Sequence, residues 1–403
     1  MGHPHFGRHF RPILIAAILV LSGACSSHEP EEPAQENLRT LFIYMPWSTT
    51  LLNAFKVNLS DFEKAIINRK GLGNQRVLVY LASSSTQASL YEIHYSGNTC
   101  TRTSLKEYNG RDYTTTTGLT TILNDVKREA PATQAYSMII GGHGLGWVPV
   151  NTGTTRADGT RIPMHWDGEN PKTRYFGGTS SSCQTDISTL REAMEAASFH
   201  TDYLLFDACY MSGIETAYEL RSVTDRLIAP TSEMMADGIP YERVGTYLLG
   251  TPDYEALCRE FINFYSTYST PSGTLTVTDC TALDALASAM LTLNSNHDPT
   301  TVNPDSLQRL CGYTPGLFYD FGDYIRHLCP DSTERQEAES VLAAAILYSG
   351  HTPYIYTEFT NNSFIGQHYI KLNTFSGLTV SEPSRHRYAT SCYKSTSWYA
   401  ATH

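Results

Sequence analysis

The chain has 403 residues, of which 41% are hydrophobic and 17% charged, a balance typical of a globular protein rather than a disordered or fibrous one. Its formal net charge is -11, and no run of lysine or arginine follows the N-terminal segment. Because phosphate binding needs a basic surface, we expect no nucleic-acid partner.

Residues 1–24 predict a signal peptide. A basic segment precedes the apolar run 13–21, which is too short to span a bilayer. Small residues then lead to Cys25, similar to the lipid-bearing cysteine of bacterial lipoproteins, although leucine lies four rather than three positions before it. We expect a cell-envelope lipoprotein, on the outer membrane or surface of a Gram-negative bacterium, with the acidic segment 25–37 as its tether. A periplasmic or secreted protein with an ordinary signal peptide is the alternative.

The following region, 38–252, alternates strand patterns with helix patterns. Continuous apolar runs at 38–47 and 75–83 predict strands, with helical spacing between them. Later patterns predict helices in "GLTTILNDVKREA", "DISTLREAMEAA" (with Asp186 as N-cap) and "GIETAYELRS", and strands in "AYSMIIGG", "DYLLFDAC" and "RLIAPTSE". This alternation predicts an α/β fold with a mostly parallel central sheet between helices.

Two further segments complete the predicted layout. Residues 148–185 are rich in glycine, threonine, asparagine and proline, and are too long for a simple connection, so we expect a surface loop. Residues 253–403 contain helix patterns followed by short strand-like pieces, and no clear linker separates them from the core. We therefore expect this C-terminal portion to pack on the core of a monomer.

A histidine and a cysteine follow two of the predicted strands, where functional groups of parallel sheets gather. Cys209 precedes a helix, whose positive end is expected to lower the pKa of the thiol. His143 follows the strand in "MIIGGHGLGW" and is the candidate base. The surrounding glycines 141, 142, 144 and 146 would leave room for a substrate backbone. The N–H groups of Gly144 and Cys209 would then hold an oxyanion.

Other interpretations stay open. Cys209 can be inert core and His143 a structural turn residue. A metal hydrolase or a serine hydrolase is disfavoured, because the chain has neither HExxH nor GxSxG, and no cysteine spacing typical of a zinc site. If one of the eight cysteines after Cys25 is a nucleophile, the other seven cannot all pair, and we expect most to be buried. The main alternative to an enzyme is a catalytically silent surface protein that binds through the same fold.

His-Gly after one strand and Asp-Ala-Cys after the next resemble the caspase-like cysteine peptidases, and the clostripain group in particular. Further stretches similar to clostripain-related lipoproteins are "GGHGLGW", "TRYFGG" before "DISTLREAM", "LLFDACYMSGIETAYEL", "IAPTSE" with "DGIPY", "SGLTVSEP" and "STSWYAA". The resemblance covers residues 38–403 and implies a caspase-like αβα sandwich with a C-terminal extension. It also implies a cysteine endopeptidase acting on proteins or peptides.

The resemblance further implies cleavage after arginine or lysine, with Asp207 and Asp237 as the carboxylates of the substrate pocket. The alternatives are that Asp207 caps a helix or binds backbone amides, and that Asp237 is an ordinary turn residue. Self-cleavage within 148–185 is implied as well, with Lys172 and Arg174 as candidate sites, unless these basic residues are merely solvated. No cofactor is required, although some relatives depend on calcium.

Overall fold

The principal element of the fold is a nine-stranded sheet whose centre is parallel and whose margins are antiparallel. The computed structural model describes residues 1, 38–110, 112–150, 176–268, 271–358 and 368–403. The strands of these residues are β1 (Arg39–Met45), β2 (Gln75–Ala82), β3 (Gln87–Ser96), β4 (Thr99–Asn109), β5 (Ala135–Gly141), β6 (Phe176–Gly177), β7 (Gln184–Thr185), β8 (Thr201–Asp207), β9 (Arg226–Ala229), β10 (Thr274–Asp279), β11 (Tyr319–Asp320), β12 (Ile346–His351), β13 (Tyr354–Tyr356), β14 (Tyr369–Lys371) and β15 (Thr379–Val380).

The order of the large sheet is β12-β10-β9-β8-β5-β1-β2-β3-β4. The five strands from β9 to β2 pair in parallel, and β12, β10, β3 and β4 add antiparallel margins. Three pairs, β6 with β7, β11 with β15 and β13 with β14, form separate two-stranded sheets.

Helices cover both faces of the sheet. They are α1 (Leu52–Asn68), α2 (Thr116–Glu129), α3 (Ile187–Ala196), α4 (Ile214–Leu220), α5 (Tyr241–Val244), α6 (Tyr254–Ser266), α7 (Leu283–Asn296), α8 (Phe321–Leu328), α9 (Ser332–Ala345), α10 (Arg387–Cys392) and α11 (Ser397–Thr402). Helices α1, α5 and α6 enclose one apolar core, and α2, α3, α4 and α7 enclose the other with the C-terminal helices. This arrangement confirms the predicted α/β fold. Within the described ranges, no helix is both long and apolar enough to cross a membrane.

The burial of strand β8 on both faces explains why its sequence is continuously apolar. Successive side chains of a strand point to opposite faces, and both faces of this sheet are covered. Tyr203 and Leu205 accordingly enter the core beside α1, whereas Leu204 and Phe206 enter the opposite core. The strand ends at Asp207, where the apolar run stops.

The sheet margins differ from the sequence prediction. The hairpin of β3 and β4 was not predicted, because β4 is largely exposed and its sequence, TCTRTSLKEYN, lacks an apolar face. In the C-terminal portion, β10 and β12 extend the large sheet beyond β9. Asp186 is the N-cap of α3, as predicted, but its carboxylate bonds no amide of the helix and instead accepts the N–H of Val150, with N···O at 2.5 Å.

Trp398 on α11 joins the end of the chain to the core. Its side chain is 1% exposed and packs edge-on against Tyr218 of α4 and Phe321 of α8. We expect Trp398→Ala to lower the free energy of unfolding by about 3–5 kcal/mol in urea titrations, because it removes a large buried ring. Leu291→Ala, at a position on α7 that is 42% exposed, is the control and should change it by less than about 0.5 kcal/mol. Equal losses in the two variants would contradict this packing role.

Candidate active site

The register of β5 and β8 positions the two candidate catalytic residues. Gly141 pairs with Asp207 at the carboxyl ends of these parallel strands, and the N–H of Gly142 donates to the carbonyl of Asp207 at 3.2 Å. His143 and Cys209 each follow two residues later. Adjacent strands lie about 4.8 Å apart, so the chain delivers the imidazole and the thiol to the same edge of the sheet.

His143 is held by backbone pairing on one side and by a hydroxyl on the other. Its N–H donates to the carbonyl of Gly177 at 3.0 Å, and the N–H of Gly177 donates back at 3.1 Å. Nε2 of the partly exposed ring lies 3.1 Å from Oγ1 of Thr50, which lies two residues before the start of α1. Three separate segments therefore define the position of this side chain.

Cys209 is buried, with 7% of its surface exposed, beneath the loop that follows β9. The N–H of Met234 donates to its Sγ at 3.2 Å. Burial raises the pKa of the thiol to about 12; the negative charge of Glu233 raises this pKa further, while the N–H of Met234 opposes the shift. The predicted lowering of the pKa was wrong. Helix α4 begins only at Ile214, and desolvation outweighs any stabilisation of the thiolate by its short dipole.

The glycines around His143 make room for the protein's own backbone. A Cβ on Gly144 would lie 2.5 Å from the carbonyl oxygen of Cys209, and one on Gly142 would lie 2.8 Å from the nitrogen of Gly177. Gly146 has φ +59, and its Cβ would lie 2.7 Å from the carbonyl oxygen of Tyr210. The expectation that these glycines leave space for substrate was therefore wrong at these three positions. Gly144 and Gly146 allow the turn after β5 to pack directly on the segment that carries Cys209, and Gly142 allows it to pack on β6.

Asp207 lies at the end of β8 and is buried. Its carboxylate accepts the N–H of Ile239 and the hydroxyl of Tyr241, both at 3.1 Å. Burial raises the pKa of this carboxyl group to about 7, against the lowering effect of the two hydrogen bonds. Asp207 thus binds a backbone amide, as one alternative predicted, and it does not cap α4, whose N-cap is Gly213.

Asp237 lies in an exposed turn of the same loop, and the next residue, Gly238, has φ +65 and passes against the carboxylate of Asp207. The Asp237 carboxylate accepts a hydrogen bond from the hydroxyl of Tyr268, and its carbonyl accepts one from Asn58 at 3.0 Å. The loop therefore brings Asp207 and Asp237 together.

An open groove of 810 Å³ runs beside Asp237. It lies between the start of α1 and the loop that leads into α5, and Asn53, Asp61 and Glu242 also line it. Lys64 bonds both Asp61 and Glu242, whereas the neutral hydroxyl of Tyr268 bonds Asp237. Asp237 therefore contributes a negative charge to the groove that Lys64 does not bond, although Arg243 also lines the groove with a positive charge.

Glu233 is a buried residue of the site to which the sequence analysis assigned no role. Its carboxylate accepts hydrogen bonds from the hydroxyl of Tyr210 at 2.7 Å, from the N–H of Glu358 at 3.0 Å and from the hydroxyl of Thr357. Tyr210 directly follows Cys209 and has φ +61, a conformation unfavourable for a non-glycine residue. Glu233 thus links the side chain of Tyr210, the residue after Cys209, to the C-terminal portion. The sequence signal that could have identified Glu233 was its position in "IAPTSE", one of the stretches that resemble the clostripain group.

The remaining predicted positions are of two kinds. Lys172, Arg174 and Cys25 lie outside the described residues, as does most of the segment 148–185. All eight cysteines that the structure does describe are free thiols, and six of them are buried, which confirms that most are buried.

Residues 53–301 match the clostripain family. A solved structure of a secreted C11 cysteine protease from Bacteroides thetaiotaomicron, "iotapain", is 44% identical, with a TM-score of 0.81 over 91% of this chain and 99% of that chain. A clostripain from the same organism, in complex with the peptide inhibitor BTN-VLTK-AOMK, is 47% identical, with a TM-score of 0.53 over 57% of this chain and 99% of that one.

An inactive zymogen C11 protease from Parabacteroides distasonis is 25% identical, with a TM-score of 0.74 over 91% of this chain and 98% of that chain. No curated protein matches the chain. The family match covers more than half of the sequence, and the first of these structures spans nearly all of it. The chain therefore belongs to the clostripain family of cysteine proteases.

Proposed function

We propose that this protein is an endopeptidase in which Cys209 and His143 form the catalytic dyad. The observation that carries the proposal is the parallel register that ends β5 and β8 two residues before these side chains. Sγ attacks the substrate carbonyl carbon while its proton passes to the imidazole, and the N–H groups of Gly144 and Cys209 hold the oxyanion. The imidazolium then protonates the leaving amine as the C–N bond breaks, and water hydrolyses the thioester.

We infer that the uncleaved chain is a precursor, and the covered thiol supports this inference. With the pKa of Cys209 raised to about 12, the thiol stays protonated near neutral pH until the Met234 loop moves or an imidazolium approaches. We infer that cleavage within 148–185, at Lys172 or Arg174, allows the Met234 loop to move away from Cys209. The relative described as an inactive zymogen supports such a precursor state.

Asp207 and Asp237 are proposed to select lysine or arginine at the residue before the cleaved bond. The Asp237 carboxylate in the groove, and the Asp207 carboxyl group that contacts the adjacent Gly238, are the partners proposed for a basic side chain. In the 47% identical clostripain, the inhibitor's peptide letters VLTK end in lysine, which supports this preference.

Export is part of the proposal. The segment 1–24 is proposed to direct secretion, and Cys25 to carry a lipid that anchors the enzyme in the cell envelope. The 44% identical relative is described as secreted, which supports export but not the lipid. The substrates are then proteins or peptides outside the cytoplasm.

The dyad predicts a large loss of turnover when either residue is removed. We expect Cys209→Ala and His143→Ala each to lower kcat/KM on fluorogenic lysyl and arginyl peptides by at least about a thousandfold. The Cys209→Ala chain should also stay intact, whereas the wild-type chain is cut in 148–185, as seen by gel and mass spectrometry. Cys392→Ala, at a partly exposed thiol on α10, is the control with wild-type turnover. Turnover by Cys209→Ala equal to wild type would exclude Cys209 as the nucleophile, whereas absence of turnover in the processed wild-type chain would favour the binding-protein alternative.

The specificity proposal predicts a selective effect of Asp237. We expect Asp237→Asn to lower kcat/KM for lysyl peptides by about 10- to 100-fold, because a charge partner of the substrate is lost. The rate for the norleucyl peptide, which is uncharged, should be unchanged. Glu242→Gln is the matched control, because Glu242 lines the same groove but is bonded to Lys64. Equal losses on the lysyl and norleucyl peptides would exclude charge recognition by Asp237.

The raised pKa of Asp207 predicts pH-dependent binding. Below a pKa of about 7 the carboxyl group is neutral, and above it the carboxylate can attract a lysine ammonium group. In the Cys209→Ala background, affinity for a lysyl peptide measured by fluorescence anisotropy should therefore rise about tenfold between about pH 5 and about pH 8. The norleucyl peptide corrects for titration of His143. If Asp207→Asn retains the full pH dependence for the lysyl peptide, Asp207 does not bind the lysine and serves only to hold the backbone of Ile239.

A further inference from the structure

Three side chains with metal-binding atoms meet in the C-terminal portion, among helices α7, α8 and α9. They are His297, Cys329 and Glu334, and their ligand atoms all lie within 4.8 Å of one another. Their separation along the sequence, at positions 297, 329 and 334, is unlike the ligand spacings by which zinc sites are recognised from sequence alone. We propose that these three residues form a zinc-binding site that ties the three helices together.

Each ligand is fixed at the end of a helix. His297 is the C-cap of α7, where its N–H donates to Leu293, and Cys329 is the C-cap of α8, where its N–H donates to Ile325. Glu334 lies in the first turn of α9, whose N-cap, Asp331, accepts the N–H of Glu334. Because α9 packs against both α7 and α8, the backbones that carry the ligands are held before any ion binds.

The separation of two of the three ligand atoms fits a tetrahedral ion. Nε2 of His297 and one carboxylate oxygen of Glu334 are 3.0 Å apart, close to the separation of two ligand atoms around zinc, which is roughly 3–4 Å for bonds of about 2.0–2.3 Å. The other carboxylate oxygen of Glu334 accepts a hydrogen bond from Asn296 at 2.6 Å, which orients the group as outer-shell partners orient metal ligands. The ion would replace the hydrogen bond between His297 and Glu334.

Access and chemistry both favour zinc. Cys329 is fully buried, whereas the side chains of His297 and Glu334 are 26% and 34% exposed, so an ion can enter from solvent and meet the sulfur at the base of the site. Calcium and magnesium prefer oxygen ligands, whereas a thiolate with an imidazole and a carboxylate suits zinc. Binding transfers the Sγ proton of Cys329 to solvent, and water completes the fourth position.

The charges around the sulfur determine the cost of that proton release. Burial and the Glu334 carboxylate raise the pKa of the Cys329 thiol. Arg335 is the nearby cation, and its guanidinium donates to the carbonyls of Cys329 and Pro330 at 3.2 and 3.1 Å. Zinc supplies the additional positive charge that stabilises the thiolate.

The test uses the full-length Cys209→Ala chain, because zinc would otherwise also bind the catalytic thiol and imidazole. After chelator treatment and dialysis, calorimetric titration with zinc chloride should show one site per chain. Adding Cys329→Ser or Glu334→Gln should weaken it by about 100-fold or more. Cys392→Ser, at a thiol outside the cluster, should bind as tightly as the background. Cobalt should give a thiolate charge-transfer absorption band that Cys329→Ser abolishes, and calcium should not compete.

The outcomes decide between a site and a simple ion pair. Absence of tight zinc binding, or equal affinity in the Cys329→Ser and Cys392→Ser chains, would overturn the proposal and leave His297 and Glu334 as a surface ion pair. Circular dichroism of each metal-free variant separates lost binding from lost folding. Because every chain lacks the catalytic thiol, failure of the zinc site leaves the proposed peptidase function untouched.

Discussion

The parallel pairing of β5 with β8 is the constraint on which the candidate site depends. The N–H of Gly142 meets the carbonyl of Asp207 at the last step of the ladder, and Gly144 then passes under the carbonyl of Cys209, where any Cβ would be 2.5 Å from that oxygen. A register shift of one residue would turn the apolar side chains of β8 to the wrong cores. The burial of the sheet therefore also fixes where the imidazole and the thiol emerge.

The loop after β9 has two opposite effects on this site. Through Ile239 and Tyr241 it positions the carboxylate of Asp207, and through Met234 it covers the sulfur of Cys209. The same packing that assembles the pocket thus keeps the thiol desolvated and protonated. In the activation proposed above, the chain gains a reactive thiolate when this loop moves away from the sulfur, without building a new site.

The sequence was sufficient to predict where the strands end, but it was not sufficient to predict the pKa of the thiol. Apolar runs that stop at Gly141 and Asp207 indicate doubly buried strands, and this pattern needs no tertiary information. The pKa of Cys209 instead depends on how completely a distant loop covers it, which no local pattern encodes. The polar edge strand β4 was missed because an exposed strand has no apolar alternation. The proposed zinc ligands were missed because helix packing, not sequence spacing, brings His297 close to Cys329.

Labelling with a covalent probe tests directly whether Cys209 and His143 act together as a dyad. The wild-type chain, after processing, is incubated with a peptidyl acyloxymethyl ketone that ends in lysine, and the adduct is located by peptide mass mapping. We expect one adduct per chain, on the sulfur of Cys209, and we expect the His143→Ala chain to be labelled much more slowly than the wild-type chain. An adduct on any other cysteine, or labelling of Cys209 at the same rate without the imidazole, would contradict a dyad formed across β5 and β8.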